Sequence, residues 1–231
     1  VAVVKHPVPA VLLLLVGAAL LRITLFGDVA LRYVQEPLRP YLAVTGAVLI
    51  LAAALSRVRD GRGDGHGPPR TAWLLVPPAL ALLCWAPPAL GSYTAARNNP
   101  KIVADYDHFD PLPTHGAVHL SLTEFTARVQ QEEAQSLRGR TVVLSGFVTP
   151  RTDGAWDLSR LLVSCCAADS QSLTVRMHGI HSPAADTWVT VTGTWHPSGT
   201  LGTTSAAVAL NVDSLQRIPE PKRPYVDRPP A

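Results

Sequence analysis

The sequence predicts a membrane-embedded anchor of about three transmembrane helices, joined to a small all-β domain that carries one short helix. Two observations carry this expectation. Up to about Tyr93 the chain is dominated by Leu, Ala, Val and Pro, and beyond it the composition becomes that of a water-facing domain. The second half then holds a series of short β-branched segments separated by turn residues. The 231 residues carry a net charge of +3, mostly from arginine, with no Lys/Arg-dense stripe. That pattern argues against nucleic acid as a partner. Three cysteines, two of them adjacent, do not make a disulfide framework.

A helix needs roughly 20 mostly apolar residues to cross the hydrocarbon core. The first candidate runs from Pro7 to Phe26, the second from Leu38 to Leu55, and the third, without charge, from Ala72 to Leu90. Arg22 lies near the end of the first, where a long side chain reaches the headgroups. Trp73, Trp85 and Tyr93 lie near the ends of the third span, and Tyr33 and Tyr41 flank the second. Aromatic residues collect at such interfaces. The alternative for the first span is a cleaved signal peptide, but two further hydrophobic segments follow closely. The pairs Pro77-Pro78 and Pro87-Pro88 remove backbone donors and predict a kink in the third helix. Cys84, mid-span, reads as a packing residue.

Topology follows from the loops. Lys5 precedes the first span, and Arg57, Arg59, Arg62 and Arg70 lie between the second and third, against Arg32 and Arg39 in the first loop. The positive-inside rule puts the N-terminus and second loop in the cytoplasm. Three crossings then make a multi-pass protein of the cell membrane with its C-terminal domain outside. The second loop is Gly-rich and reads as a flexible connector. Its Asp64 and His66 are too few to build a structural metal site. The expected organisation is an anchor over 1–94, a linker over 95–119, a β domain over 120–218 and a Pro-rich tail over 219–231.

The linker holds His108, His115 and His119 with Asp105, Asp107 and Asp110, at spacings that match no standard metal pattern. A short helix follows. Ser121 with Glu124 fits a capping box, and Leu122, Phe125 and Val129 give one apolar face. Strands are predicted at Thr141–Thr149, Asp157–Cys165, Leu173–His178, Thr187–His196 and Ala206–Ile218. The first two are joined through the hairpin signal Asp153-Gly154. In the fourth, Val189, Val191, Gly193 and Trp195 share one face and Trp188, Thr190, Thr192 and Thr194 the other. Five short strands suggest closure into a small barrel, which removes exposed edges. Gly146 and Gly193 would permit the tight coiling. An OB-like barrel is the first expectation and a small sandwich the second.

The pointed chemical feature is Ser164-Cys165-Cys166-Ala167-Ala168-Asp169. Thiolates are soft ligands that suit zinc or copper(I). Asp169 adds an oxygen, and His178 or His181 a nitrogen. The candidate metal ligands are therefore Cys165, Cys166, Asp169, His178 and His181. In a regular strand neighbouring side chains point to opposite faces, so the two thiols share a metal only if the chain turns there. The alternatives are a strained, readily reduced bond between the two cysteines and one cysteine facing the core. No GxSxG, HExxH or P-loop pattern appears, so an enzyme is not expected.

The series Gly139-Arg140, Gly146-Phe147-Val148, Arg160, Cys165-Cys166-Ala167-Ala168-Asp169, Trp188-Val189 and Val191-Thr192-Gly193 resembles the YcgQ-like family of bacterial permease subunits. The N-terminal order Leu31-Arg32-Tyr33-Val34, Arg39-Pro40, then Ala89-Leu90-Gly91-Ser92-Tyr93, looks like its actinobacterial branch. The resemblance implies a membrane protein paired with a separate multi-spanning permease, in a family some of whose members are associated with zinc-responsive regulation. It also implies a loop after the second span richer in His and Asp than the one present here.

Overall fold

The structure, a computed structural model, describes residues 8–59, 74, 76–84, 88–97 and 103–230. It divides into two compact units, Val1–Ala89 and Leu90–Ala231. The second loop with Asp64 and His66 lies outside the described residues, as do Lys5, Trp73, Trp85 and Pro87.

The first unit contains α1 (Val8–Leu25) and α2 (Arg39–Arg59), which pack on each other. Small residues make the contact. Ala10, Gly17 and Thr24 recur at seven-residue spacing on α1 and are buried, as are Gly46 and Ala53 on α2. A Cβ on Gly17 would sit 2.8 Å from the Gly46 carbonyl oxygen, and one on Gly46 3.0 Å from that of Gly17. The missing side chains let the two backbones touch. At the first residue of α2, Arg39 donates from Nε to the Thr24 carbonyl (2.7 Å) and from Nη2 to that of Gly27 (2.7 Å). These bonds satisfy carbonyls that the end of α1 leaves open. The outer face of α2 is apolar: Val44, Val48, Leu51 and Leu55, spaced at four, three and four, are all at least half exposed. Among the described residues the segment Glu36–Ser56 is the one helix long and apolar enough to cross a membrane. The apolar helix α1 is shorter.

Of the expected third span, α3 covers Val76–Cys84. Pro77 and Pro78 stand in its first turn, where backbone N–H groups have no intrahelical acceptor. In the helix as described the pair sits where proline is tolerated.

The second unit is a mixed six-stranded sheet with few helices. It opens with the single turn α4 (Ser92–Ala95), followed by coil, β1 (Val118–His119) and α5 (Leu122–Gln131). Then come β2 (Thr141–Pro150), β3 (Trp156–Leu162), β4 (Gln171–His178), β5 (Trp188–Trp195) and β6 (Ala209–Arg217). The Asp153-Gly154 turn joins β2 to β3 as its sequence predicts. Gly154 adopts φ 79°, and Arg151 N–H bonds the Ala155 carbonyl at 3.0 Å. The strand order is β1-β2-β3-β4-β6-β5, and β2 also pairs with β5, so the circuit of neighbours from β2 returns to β2. Two pairings, β1–β2 and β4–β6, are parallel and the others antiparallel.

Two glycines let strands approach closely. The β5–β6 register shifts between Thr192 and Gly193, and a Cβ on Gly193 would collide with the Asn211 carbonyl. A Cβ on Gly146 would lie 2.6 Å from the Ser159 carbonyl oxygen. The core gathers Leu144, Val148, Trp156, Leu158, Val175, Val189, Val191 and Leu210 from the sheet beneath Leu122, Phe125 and Val129 of α5. Ser121 caps that helix, its Oγ accepting from Glu124 N–H at 3.1 Å. Residues 103–117, within the expected linker, have no helix or strand, yet Val103, Phe109 and Leu112 pack against this core. The tail is coil as well. It is tied down by Tyr225, whose hydroxyl accepts from Leu90 N–H (2.9 Å), and by His119 Nδ1, 2.8 Å from the Pro230 carbonyl oxygen.

Candidate functional site

β3 ends at Leu162, and the chain turns through a 3-10 segment at Ala167–Asp169. The turn that shared chemistry of adjacent cysteines requires is therefore present. Asp169 builds it. Its Oδ1 accepts from Ser164 N–H (2.9 Å) and its Oδ2 from Cys165 N–H (2.7 Å). The Cys165 and Cys166 sulfurs lie 3.6 Å apart as free thiols. Cys165 is exposed and Cys166 half-buried, and neither belongs to the core cluster. The reading in which one cysteine faces the core is not what the structure has.

Asp169 also sets the acidity of Cys165. A hydrogen bond to the Asp169 carboxylate, the neighbouring Cys166 thiol and the acid's negative charge push the Cys165 thiol up to about 11. The same bond, with the backbone N–H groups, holds Asp169 below the usual carboxylate range. At neutral pH Cys165 is thus a protonated donor, and metal or oxidant must displace that proton. Asp169→Asn is expected to lower the Cys165 pKa and raise its alkylation rate by iodoacetamide at pH 8 by roughly tenfold or more. The modified site is read by fragment mass spectrometry. An unchanged rate would remove Asp169 from this role.

The histidines stand elsewhere in the fold. His178 ends β4, and its ring stacks on His196 with centroids 4.1 Å apart and planes at 19°. His196 Nδ1 lies 2.7 Å from Asn211 Oδ1. Burial, then the neighbouring His196 and Arg176, holds His178 below the usual imidazole value. His181 is exposed in the loop beyond β4. Among the described residues no three His, Cys, Asp or Glu side chains are grouped to hold a metal ion. The turn itself supplies two sulfur donors and a carboxylate whose oxygens already accept backbone N–H groups. Closed structural zinc sites take four ligands, so these residues do not fit one by themselves.

Arg160 is a further residue of interest whose role is not evident from the sequence. It lies on β3 and is 4% exposed. Its Nε donates to the Ser145 carbonyl (2.9 Å), Nη2 to Ser145 Oγ (2.8 Å) and Nη1 to the Val226 carbonyl (3.3 Å). The guanidinium carbon stands 4.8 Å from the Trp188 ring centroid. A charged residue between Ser159 and Leu161 in a strand was the available signal, because buried charge demands partners. The His178–His196 stack offered no such signal, since the strand ends that form it are distant in sequence.

Residues 121–228 match the family model described as the DUF1980 C-terminal domain, a family linked to YcgQ-like proteins. No curated protein and no solved structure matches the chain.

Proposed function

We propose that the chain is an accessory subunit of a two-component membrane permease, which handles a transition metal such as zinc or a related small solute. The observation that carries the reading is the α1–α2 pair. Its contact is made of small residues while Val44, Val48, Leu51 and Leu55 face outward. In water that stripe would be an exposed apolar patch, whereas in lipid it needs no covering. The match of residues 121–228 to a family linked to YcgQ-like proteins supports a permease as the separate multi-spanning partner. In this reading α1, α2 and a third span form a multi-pass anchor, with the sheet domain outside the cytoplasm.

The sheet domain is read as an OB-like barrel. The circuit of pairings through β2, β3, β4, β6 and β5 supports that, as do the glycines at the close approaches. Cys165 and Cys166 then present two sulfur donors at the domain surface, and a metal passing there completes its coordination from water or from the partner. Purification of the full chain from its own membranes in mild detergent tests the reading. Stoichiometric recovery of one multi-spanning membrane protein is expected. A chain that purifies alone from gently solubilised membranes contradicts the subunit assignment. Zinc titration of the same preparation tests the metal, with binding expected to be lost in Cys165→Ser and Cys166→Ser.

A further inference from the structure

A cavity of about 570 Å³ lies between the sheet and the C-terminal tail. Ser145 of β2, Arg160 of β3, Thr190 of β5 and Gln216 of β6 contribute to one wall, and Lys222 and Arg228 of the tail to the other. No Asp or Glu is among its lining residues. Arg160 is more than nine-tenths buried there, and among the described residues no carboxylate comes within 4.0 Å of it. Burial weighs against the Arg160 charge and the nearby Asp227 offsets that only in part, so an anion in the cavity would complete the neutralisation. Asp227, the nearby acid of the tail, is turned to other work. Its Oδ1 accepts from Leu122 N–H (3.1 Å), and its Oδ2 from Thr123 N–H (2.7 Å) and Thr123 Oγ1 (2.7 Å).

A guanidinium has five N–H donors. The bonds to the Ser145 carbonyl, Ser145 Oγ and the Val226 carbonyl use three, which leaves one N–H on each terminal nitrogen. Two such donors match the two oxygens of a carboxylate or phosphate group. Ser145, Thr190 and Gln216 add neutral hydrogen-bonding groups, and the volume falls in the range of small-molecule sites. We propose that this cavity binds a small soluble oxyanion, a carboxylate or a phosphate, on Arg160 beneath the cationic tail. The tail's ties through Tyr225, Asp227 and Pro230 hold that roof in place. The site involves neither the cysteines nor the membrane helices, so it stands or falls separately from the permease reading.

Calorimetric titration of the full chain in detergent, with inorganic phosphate in one arm and succinate in the other, tests it. Saturable binding of at least one of them is expected, with a Kd of about 1 mM or tighter. The exposed pair Lys222→Gln/Arg228→Gln is expected to weaken it about fivefold or more, because two positive charges leave the roof. Arg160→Gln is expected to abolish it. Should Arg160→Gln fail to fold, as its thermal melt will show, the roof pair decides the matter. No saturable heat from either anion overturns the proposal, and so does an affinity unchanged in the roof pair.

Discussion

Replacing Arg128 with methionine is expected to cost the sheet domain about 3–5 kcal/mol, one of the two largest effects foreseen for a single substitution in it. Arg128 is 1% exposed on α5 and holds several groups together. Its Nε and Nη2 donate to Glu124 Oε1 at 3.0 and 2.9 Å, Nη1 donates to Glu132 Oε1 at 2.6 Å, and Nη2 also donates to the Asp110 carbonyl at 2.7 Å. Glu124 is partly exposed, and water can take over its solvation. Glu132 is not in that position, since it is 7% exposed and would become a buried carboxylate without a counter-charge. Its bonds from Ser136 N–H and Oγ would remain, but they do not replace a guanidinium. The double variant Arg128→Met/Glu132→Gln should therefore recover part of the loss, because it removes both charges. Thermal melts of the full chain in detergent, followed by the far-ultraviolet strand signal, read the difference. A loss under about 1 kcal/mol for Arg128→Met would show that the cluster contributes little.

Trp156→Ala is expected to cost a similar amount, about 3–5 kcal/mol, for a different reason. Trp156 opens β3, is 1% exposed, and is the largest side chain so fully buried in the sheet domain. Its indole fills space within the core cluster, and its Nε1 donates to the Ile180 carbonyl at 3.2 Å. Alanine leaves both a cavity and an acceptor without its donor. Trp156→Phe keeps most of the volume and loses the bond, so it should fall between alanine and wild type. A melt in which alanine and phenylalanine are alike would place the cost in the hydrogen bond and not in the cavity.

Much of the sheet domain was legible because its local signals agree with one another. Thr141–Thr149 is β-branched and bounded by Pro150, and β2 occupies Thr141–Pro150. The alternation along β5 put Val189, Val191, Gly193 and Trp195 on one face, and the first three of these are buried while Trp195 is half-buried. Leu122, Phe125 and Val129 each have no exposure, as their spacing implied. What sequence could not supply was long-range. The two-residue β1 exists only because Val118 and His119 find Val142 and Val143 on β2. The predicted end of the second strand overran because Val163 and Ser164 read as strand, whereas Asp169 bends the chain back onto the Ser164 and Cys165 amides.

The candidate site was legible in part. The adjacent cysteines and their aspartate are easy to see in sequence, and so is the need for a turn. That Asp169 spends its oxygens on the backbone and keeps Cys165 protonated follows from three-dimensional placement, as does the pairing of His178 with His196. Arg160 was hidden for a similar reason. Its partners Ser145 and Val226 come from β2 and the tail, 15 and 66 residues away along the chain.

Alkaline carbonate extraction of membranes from cells producing the full chain bears most directly on the central claim, that α1 and α2 lie in lipid and tether the sheet domain. The account predicts that the chain stays with the bilayer pellet and is released only by detergent. Release into the alkaline supernatant, with the helices then protected in a water-soluble protein, would contradict it.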